Sequence, residues 1–342
     1  APQQWGGPSP GPPPGGGKGK WILGGLAAVL AIALAVVITV VLVRPDSGDE
    51  SDPHNGDASS EFASAGDTGP VNIITEDPTC ETWTRVSIEY ADEADAVNWG
   101  GRDRSIPATA WSSEQRAMYD AVGEAQARTA EHAAKLARAT PHRVMRELYN
   151  QFIAYSNLFV EAIPSYEGED ANLAIVADTI FSALSDICSS INWNSAPPIA
   201  PLIPDISPPT SLVSEMISGS PTRFLPEGNP VCSEWESLTT EYNRQVADWR
   251  KIDPQVAAPD WTPEQRSVNE RVAPLMSGFA DDLERLGRES GNATLEDVAV
   301  LAAQYRRAYV LALPTYRAVD NFLSQAAINL QKVVFTACDA AA

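Results

Sequence analysis

Two pairs of tryptophans are the residues of this chain whose type and spacing best suit ligand binding. Trp99 and Trp111 form one pair and Trp249 and Trp261 the other, with eleven residues between the members of each pair. Each intervening segment contains proline. A large aromatic ring at either end of a loop can stack on a sugar ring or clamp an acyl chain. The same rings can instead cap the open end of a helical bundle, where each would bury ~150–250 Å².

Residues suited to catalysis or metal binding are sparse. The chain has three histidines, namely His54, His132 and His142. A histidine–cysteine zinc site or a histidine-based nucleophile system would need further ligands that the sequence does not supply. Gly-rich phosphate loops and the G-x-S-x-G and H-E-x-x-H motifs are absent from the sequence. Acidic clusters on helices are typical of a solvated face. We therefore expect a non-enzymatic protein with no metal site and no cofactor.

One module is written twice in the chain. Each copy opens with a Cys-x-x-Trp pattern and closes on a second cysteine, so the copies run from Cys80 to Cys188 and from Cys232 to Cys338. Landmarks between these ends recur at an offset of 150 residues: Trp99/Trp249, Trp111/Trp261, Tyr155/Tyr305, Pro164/Pro314 and Asp170/Asp320. Residues present in both copies must serve the fold that the copies share. Capping of a bundle end is therefore the favoured role of the tryptophans.

The four cysteines allow three pairings. Pairing within each copy, Cys80 with Cys188 and Cys232 with Cys338, is favoured because each repeat carries its own two cysteines. Disulfides indicate an oxidising compartment outside the cytoplasm. The alternative is four reduced, buried thiols in a cytosolic protein, and the membrane topology described below argues against it.

Four stretches of each repeat place apolar residues three to four positions apart, which predicts four helices per copy. The second helix of the first copy begins at a capping box, Ser112-x-x-Gln115, and Thr262-x-x-Gln265 repeats the pattern. Alanines on these stripes could leave a cavity in the core: Ala125, Ala133, Ala177, Ala302 and Ala327.

Pro164 and Pro314 interrupt the helical pattern and predict a break between the third and fourth helices. In an up-down-up-down bundle the first and last helix ends lie together, so paired cysteines can meet within the ~6 Å Cα separation of a disulfide. The predicted fold is all-α, with two repeated disulfide-closed four-helix bundles at residues 79–193 and 232–339. Whether the two bundles pack together is left open.

Residues that differ between the copies are better candidates for function than residues that recur. The candidates of this kind are His132, His142, Asn157, Arg306, Arg307 and Arg317.

Residues 21–43 form an uninterrupted apolar run without a charge. As a helix this run would span roughly 34 Å, enough to cross the hydrocarbon core of a bilayer. Lys18 and Lys20 precede the run, and Arg44 alone follows it before an acidic stretch, so the positive-inside rule places the N-terminus in the cytoplasm. The sequence predicts a transmembrane signal anchor in the inner membrane, with the C-terminal domains extracytoplasmic.

Three further segments are predicted to lack bundle structure. Residues 1–20 are rich in proline and glycine and predict a disordered cytoplasmic tail. Residues 44–78 predict an acidic, flexible tether. Residues 194–231 form a Pro-rich linker, expected to hold the repeats apart semi-rigidly while its apolar residues pack along a module. These apolar residues are Ile199, Leu202, Ile203 and Ile206.

The charge of the chain excludes nucleic-acid binding. The formal net charge is −21 at pH 7, and all 45 acidic residues lie beyond Arg44. A surface of this sign repels nucleic acid and anionic lipid headgroups at close range.

The first 44 residues resemble the N-termini of actinobacterial, particularly mycobacterial, envelope proteins. The resemblance rests on the Pro/Gly-rich tail, the sequence Gly17-Lys18-Gly19-Lys20-Trp21 and the Ala/Val/Leu-rich span that follows. It covers the anchor alone, and it implies a cell-envelope context.

Two functional hypotheses follow from these features. The first is a membrane-anchored extracytoplasmic scaffold or accessory subunit of a cell-envelope membrane complex, with a membrane-protein or envelope partner. Duplication, the absence of catalytic motifs and a short cytoplasmic tail favour it. The alternative is an extracytoplasmic carrier or sensor that binds a lipid, glycan or porphyrin between its helices or against the tryptophan loops.

Overall fold

Nine α-helices account for the regular structure of the part of the chain that the computed structural model describes, residues 62–213 and 220–342, and those residues contain no strand. The helices of the first repeat are α1 (Cys80–Ala96), α2 (Ser113–Ala139), α3 (Arg143–Ala162) and α4 (Ala171–Asn192). A short helix, α5 (Ala196–Ile199), follows. The second repeat contains α6 (Cys232–Gln245), α7 (Pro263–Glu289), α8 (Ala293–Ala312) and α9 (Asn321–Ala340). Each repeat therefore has the four long helices that the apolar periodicity predicts.

Local signals in the sequence set the helix ends. The Ser112 hydroxyl accepts a hydrogen bond from Gln115 N at 3.2 Å, and the Gln115 side chain accepts one from Ser112 N at 3.0 Å. Thr262 and Gln265 repeat this capping box before α7. These bonds satisfy N–H groups that a helix start leaves without intrahelical partners, which is why α2 and α7 begin where they do.

Both prolines break the chain as predicted. Helix α3 ends at Ala162 and α8 at Ala312, and a 3₁₀ turn containing Pro164 or Pro314 follows each. The chain then reverses into α4 and α9. Two disulfides close the repeats, and both predicted pairings are confirmed: the Cα atoms of Cys80 and Cys188 are 5.1 Å apart, and those of Cys232 and Cys338 are 5.7 Å apart.

The two repeats share the main hydrophobic core, while the aromatic end of repeat 1 forms a smaller buried cluster of its own. Helix α4 packs along α9 in the most extensive helix contact of the described chain, and α3 crosses α8. Residues of both repeats belong to the same buried cluster. Both helices bury alanines, among them Ala177 and Ala327. The two bundles therefore pack together, and the expectation that the linker holds them apart is wrong.

The linker itself lies along the helices. Ile199, Ile203 and Ile206 pack against the core, whereas Leu202 is 59% exposed. Farther along, Phe224, Leu225 and Val231 are buried. Leu202 is the exception to the expected packing.

Residues 62–78 correct the predicted extent of the flexible tether. Val71, Ile73 and Ile74 are buried in the core, and His142 Nε2 lies 2.8 Å from the carbonyl oxygen of Glu76. Three apolar side chains within four residues provide enough burial to hold this segment against the body, despite the acidic composition around it.

The tail at 1–20, the span at 21–43 and the first part of the tether lie outside the described residues. Among the residues that are described, Gly168–Asn192 is one helical stretch with the length and hydropathy of a membrane span. Half of the apolar 18-residue window within that stretch is buried, and the stretch contains the disulfide-bonded α4. Its apolarity is thus explained by its place in the shared core.

Candidate functional site

The tryptophan loops lie at the equivalent end of each repeat. Trp111 Nε1 donates a hydrogen bond to the Ile106 carbonyl oxygen at 2.8 Å, and Trp261 Nε1 donates one to Val256 O at 2.9 Å. These bonds fix each indole within its own loop. The loops are also tied to the turn after the third helix, because Tyr166 O accepts from Ala108 N at 2.8 Å.

Arginines at the start of α2 and α7 complete this anchoring. Arg116 Nη2 donates a hydrogen bond to Ala108 O at 2.9 Å, and Arg266 Nη2 donates the equivalent bond to Ala258 O at 3.0 Å. The recurring Glu-Gln-Arg sequence therefore serves the fold: its glutamine caps the helix, and its arginine holds the loop.

In repeat 1 this end is filled by Tyr119. Its ring stacks on Trp111 with centroids 4.0 Å apart and an interplanar angle of 24°. It also meets Trp99 edge-on at 5.0 Å and lies 4.8 Å from the Tyr166 ring. Arg102 covers Trp99, with its guanidinium carbon 3.4 Å from the ring centroid. Tyr119 is 1% exposed, so repeat 1 forms a closed aromatic cap.

Repeat 2 has aromatic rings at the equivalent positions but a different residue between them. The position equivalent to Tyr119 is Asn269, whose side chain is too small to fill the space between the rings. Trp249 meets Tyr309 edge-on at 5.7 Å, and Trp261 stacks beside Tyr316 at 5.7 Å. A cleft of about 300 Å³ opens between them. It is lined by Trp249, Arg250, Ile252, Asp253, Pro254, Trp261, Asn269, Tyr309, Tyr316, Asn321, Gln325, Ile328 and Lys332.

The cleft combines aromatic walls with uncharged polar groups and with three charged side chains, one acidic and two basic. Asn269 is 4% exposed, and its Nδ2 donates to Gln265 O at 3.0 Å. The Asn269 Oδ1 has no hydrogen-bond partner within the described ranges. Burial raises the pKa of the Tyr309 and Tyr316 phenols. The Tyr316 hydroxyl donates to Pro254 O at 2.7 Å. These two phenols are therefore neutral at physiological pH.

The four predicted ligand-binding tryptophans thus divide by repeat. Trp99 and Trp111 are packed into a closed cap, while Trp249 and Trp261 line an open cleft. The repeats do not bring all four together at one site. The sequence reasoning missed the residue that decides the difference, although the offset of 150 places Tyr119 opposite Asn269 and provides the signal.

Most candidates chosen because they differ between copies have structural contacts. Arg306 is fully buried, with an Nη1 3.2 Å from the Tyr242 hydroxyl. Arg307 pairs with Asp281 at 2.6 Å and with Glu284 at 2.7 Å. Arg317 pairs with Asp320 at 2.8 Å. His142 holds the segment before α1, as described above, while His132 lies partly exposed on α2 and Asn157 exposed on α3.

A second feature that the sequence did not indicate is a charged centre where α3 crosses α8. Arg143 donates to both Asp297 carboxylate oxygens, from Nε at 2.6 Å and from Nη2 at 3.1 Å. Glu147 occupies the position equivalent to Asp297 and is 3% exposed. No N–H or hydroxyl group of the described residues donates to its carboxyl oxygens, and the carboxyl group of Asp297 lies within hydrogen-bonding reach. Burial, followed by the charge of Asp297, raises the pKa of Glu147 well above its usual value.

A larger space of about 470 Å³ borders this centre on one side. It is lined by Glu147, Val213 and Pro221 among others.

The fold and the site together define a duplicated, disulfide-closed, all-α protein with one capped and one open aromatic end. The chain belongs to the family of mycobacterial ESX-1 associated proteins, whose model matches residues 62–342. It is 40% identical over 335 residues to an uncharacterized protein of Mycolicibacterium smegmatis (strain MKD8), a match that covers 97% of this chain and 89% of the relative. No solved structure matches the chain. The family suggests a secretion-system-associated accessory protein and supports the resemblance to mycobacterial proteins.

Proposed function

We propose that this protein is a non-enzymatic accessory subunit of the secretion machinery with which its family is associated. In this proposal, residues 21–43 anchor the chain in the inner membrane and the helical body lies on the extracytoplasmic side. The observation that carries the proposal is the extent of the family match, because residues 62–342 comprise the whole helical body. This match supports assigning the association with the secretion machinery to the helical body.

The covalent structure supports the extracytoplasmic placement. Both disulfides join the ends of helical repeats, and such bonds persist in oxidising compartments and are rare in the cytosol. The apolar run at 21–43, with its flanking Lys18, Lys20 and Arg44, supports the same topology.

The carrier alternative has less support from the helical core. The alanines expected to leave a cavity are packed: Ala125 is 2% exposed, and Ala133, Ala177, Ala302 and Ala327 are fully buried. The two spaces described above are lined by other residues. A lipid or porphyrin between the helices is therefore not favoured.

Co-purification tests the proposal. The full-length chain, tagged at its C-terminus, is expressed in a mycobacterial host, extracted in mild detergent and analysed by quantitative mass spectrometry. We expect near-stoichiometric recovery of membrane components of the secretion system. The matched control keeps residues 1–61 and replaces the helical body with an unrelated disulfide-bonded domain, and it should lose these components. Equal recovery with both chains, or no membrane partner with either, would contradict the proposal.

Topology is tested separately. Alkaline phosphatase, which is active only outside the cytoplasm, is fused after Ala342. We expect activity in intact cells, and an inactive fusion would refute the extracytoplasmic placement.

A further inference from the structure

We propose that the cleft of repeat 2 binds an aromatic side chain presented by a partner polypeptide. The incoming ring enters between Trp249 and Trp261 and takes the position that Tyr119 takes in repeat 1. The inference concerns repeat 2 alone, so it goes beyond the accessory function proposed above and does not depend on it.

Tyr119 shows which shape the four surrounding rings accept. Its flat ring stacks on one indole at 4.0 Å and meets the other edge-on at 5.0 Å. Stacked and edge-to-face contacts are the arrangements that aromatic pairs prefer. Repeat 2 has a tryptophan or tyrosine at each position equivalent to a ring around Tyr119: Trp249, Trp261, Tyr309 and Tyr316. The surroundings that hold a phenol in repeat 1 are thus present in repeat 2 without a side chain to fill them.

A second difference between the copies opens the same cleft. The face of Trp99 is covered by Arg102 in repeat 1. The equivalent residue in repeat 2 is Ile252, which lines the cleft. Tyr119 and Arg102, which close the aromatic end of repeat 1, are therefore replaced in repeat 2 by Asn269 and Ile252. Both replacements line the same cleft.

Polar groups around the cleft suit the main chain that would carry an aromatic ring. Asn269 offers Oδ1 as an acceptor, and the partly exposed amides of Asn321 and Gln325 can both donate and accept. A hydrocarbon tail would leave these amides without partners, at a cost in binding. Aromatic side chains seated in pockets are also the usual anchors of protein interfaces. The lining therefore favours a polypeptide over a lipid.

The shape of the walls favours a flat ring over a sugar. Trp261 is 9% exposed, and Tyr309 and Tyr316 are each 3% exposed. Most of the surface of these three rings is therefore covered by neighbouring residues, and they present no open platform. A puckered pyranose with hydroxyl groups around its edge would fit between such rings less well than a flat phenyl or phenol ring.

Fluorine NMR on the full-length protein in detergent tests the inference. The nine tryptophans are labelled as 5-fluorotryptophan and assigned by single replacements with phenylalanine. N-acetyl-L-tyrosinamide is the probe, and N-acetyl-L-alaninamide and methyl β-D-glucopyranoside are the comparison compounds. We expect tyrosinamide to shift the Trp249 and Trp261 resonances and to leave Trp99 and Trp111 unchanged.

Two matched variants link the shifts to the cleft. Asn269→Tyr supplies the side chain that repeat 1 already has, and we expect it to lower the affinity for tyrosinamide at least tenfold. Glu270→Tyr adds the same side chain at the exposed neighbouring position outside the cleft, and we expect it to keep the affinity within a few fold. In the reciprocal variant, Tyr119→Asn, the probe should now shift Trp99 and Trp111. Circular dichroism confirms that each variant is folded.

Three results would overturn the inference. The first is no shift of Trp249 and Trp261 with tyrosinamide. The second is a shift with the glucopyranoside alone, which would make the cleft a glycan site. The third is equal binding by Asn269→Tyr and the unaltered chain. Because the readout needs no secretion component, failure here is distinguishable from failure of the proposed function.

Discussion

Glu147 should make the protein less stable as the pH rises, and Glu147→Gln should remove that effect. The carboxyl group is buried beside Asp297, and both burial and the Asp297 charge raise its pKa well above the usual value. The folded state therefore holds a proton that the unfolded chain releases near its ordinary pKa of about 4.3. Between that pH and the raised folded-state pKa, the folded state binds one more proton than the unfolded state. Its stability then falls with increasing pH.

The size of the effect follows from one proton. Each pH unit within the window lowers the free energy of unfolding of the unaltered chain by about 1.4 kcal/mol. Glutamine has nearly the shape of a protonated glutamate and does not titrate, so this contribution disappears in Glu147→Gln. Asp186, whose pKa burial raises to about 6, adds a slope of the same sign, but it is present in both chains and cancels in the difference.

Chemical denaturation measures this difference. Unfolding of the full-length chain and of Glu147→Gln is followed by tryptophan fluorescence from pH 5 to pH 8. We expect the variant to gain stability over the unaltered chain, by up to about 1.4 kcal/mol for each pH unit. Glu131→Gln, an exposed substitution on α2, is the control and should run parallel to the unaltered chain. Parallel curves for Glu147→Gln would show that the folded state does not hold Glu147 protonated.

Three further substitutions have defined outcomes in the same assay. Arg143→Met leaves the 1% exposed Asp297 carboxylate without its partner and should cost about 3–5 kcal/mol, most of which Asp297→Leu restores in the double variant. Replacing Cys80 and Cys188 together by serine opens a loop with a sequence separation of 108. It should cost up to about 4–5 kcal/mol, a difference that vanishes when both chains are reduced. Tyr119→Ala should cost about 3–5 kcal/mol, because the ring is fully buried among four others. A cost below 1 kcal/mol for any of these would refute the packing from which it is argued.

Local signals in the sequence were enough to place the helices and the disulfides. The capping boxes at Ser112 and Thr262, the breaks at Pro164 and Pro314 and the cysteines at the repeat ends all act over short distances or through a repeat. Each of these signals recurs at the equivalent position of the second copy, so the prediction for one repeat supports the same prediction for the other.

The shared core could not be predicted in the same way. An apolar stripe on α4 shows that the helix has a buried face, but it does not say whether the partner is a helix of its own repeat or α9. The packing of residues 62–78 against the helices could not be predicted for the same reason. Val71, Ile73 and Ile74 form too short a cluster to outweigh the acidic composition until the surface that receives them is known. Tyr119 was missed for a different reason. The copies differ at many positions, and the sequence does not show that this one lies among four aromatic rings until the fold places them.

The charged centre shows how sequence differences between the two repeats let two carboxyl groups be buried together. Equivalent positions of two related repeats meet where α3 crosses α8, so Glu147 and Asp297 bring two carboxyl groups into one buried region. Two buried carboxylates would repel each other and lose hydration. The first repeat supplies Arg143 where the second has Ala293, and this one arginine neutralises Asp297. Glu147 is left to hold its proton. Two identical repeats could not make this asymmetric arrangement. The aromatic ends differ in a similar way, because Tyr119 fills and stabilises the end of repeat 1, whereas Asn269 leaves a cleft in repeat 2.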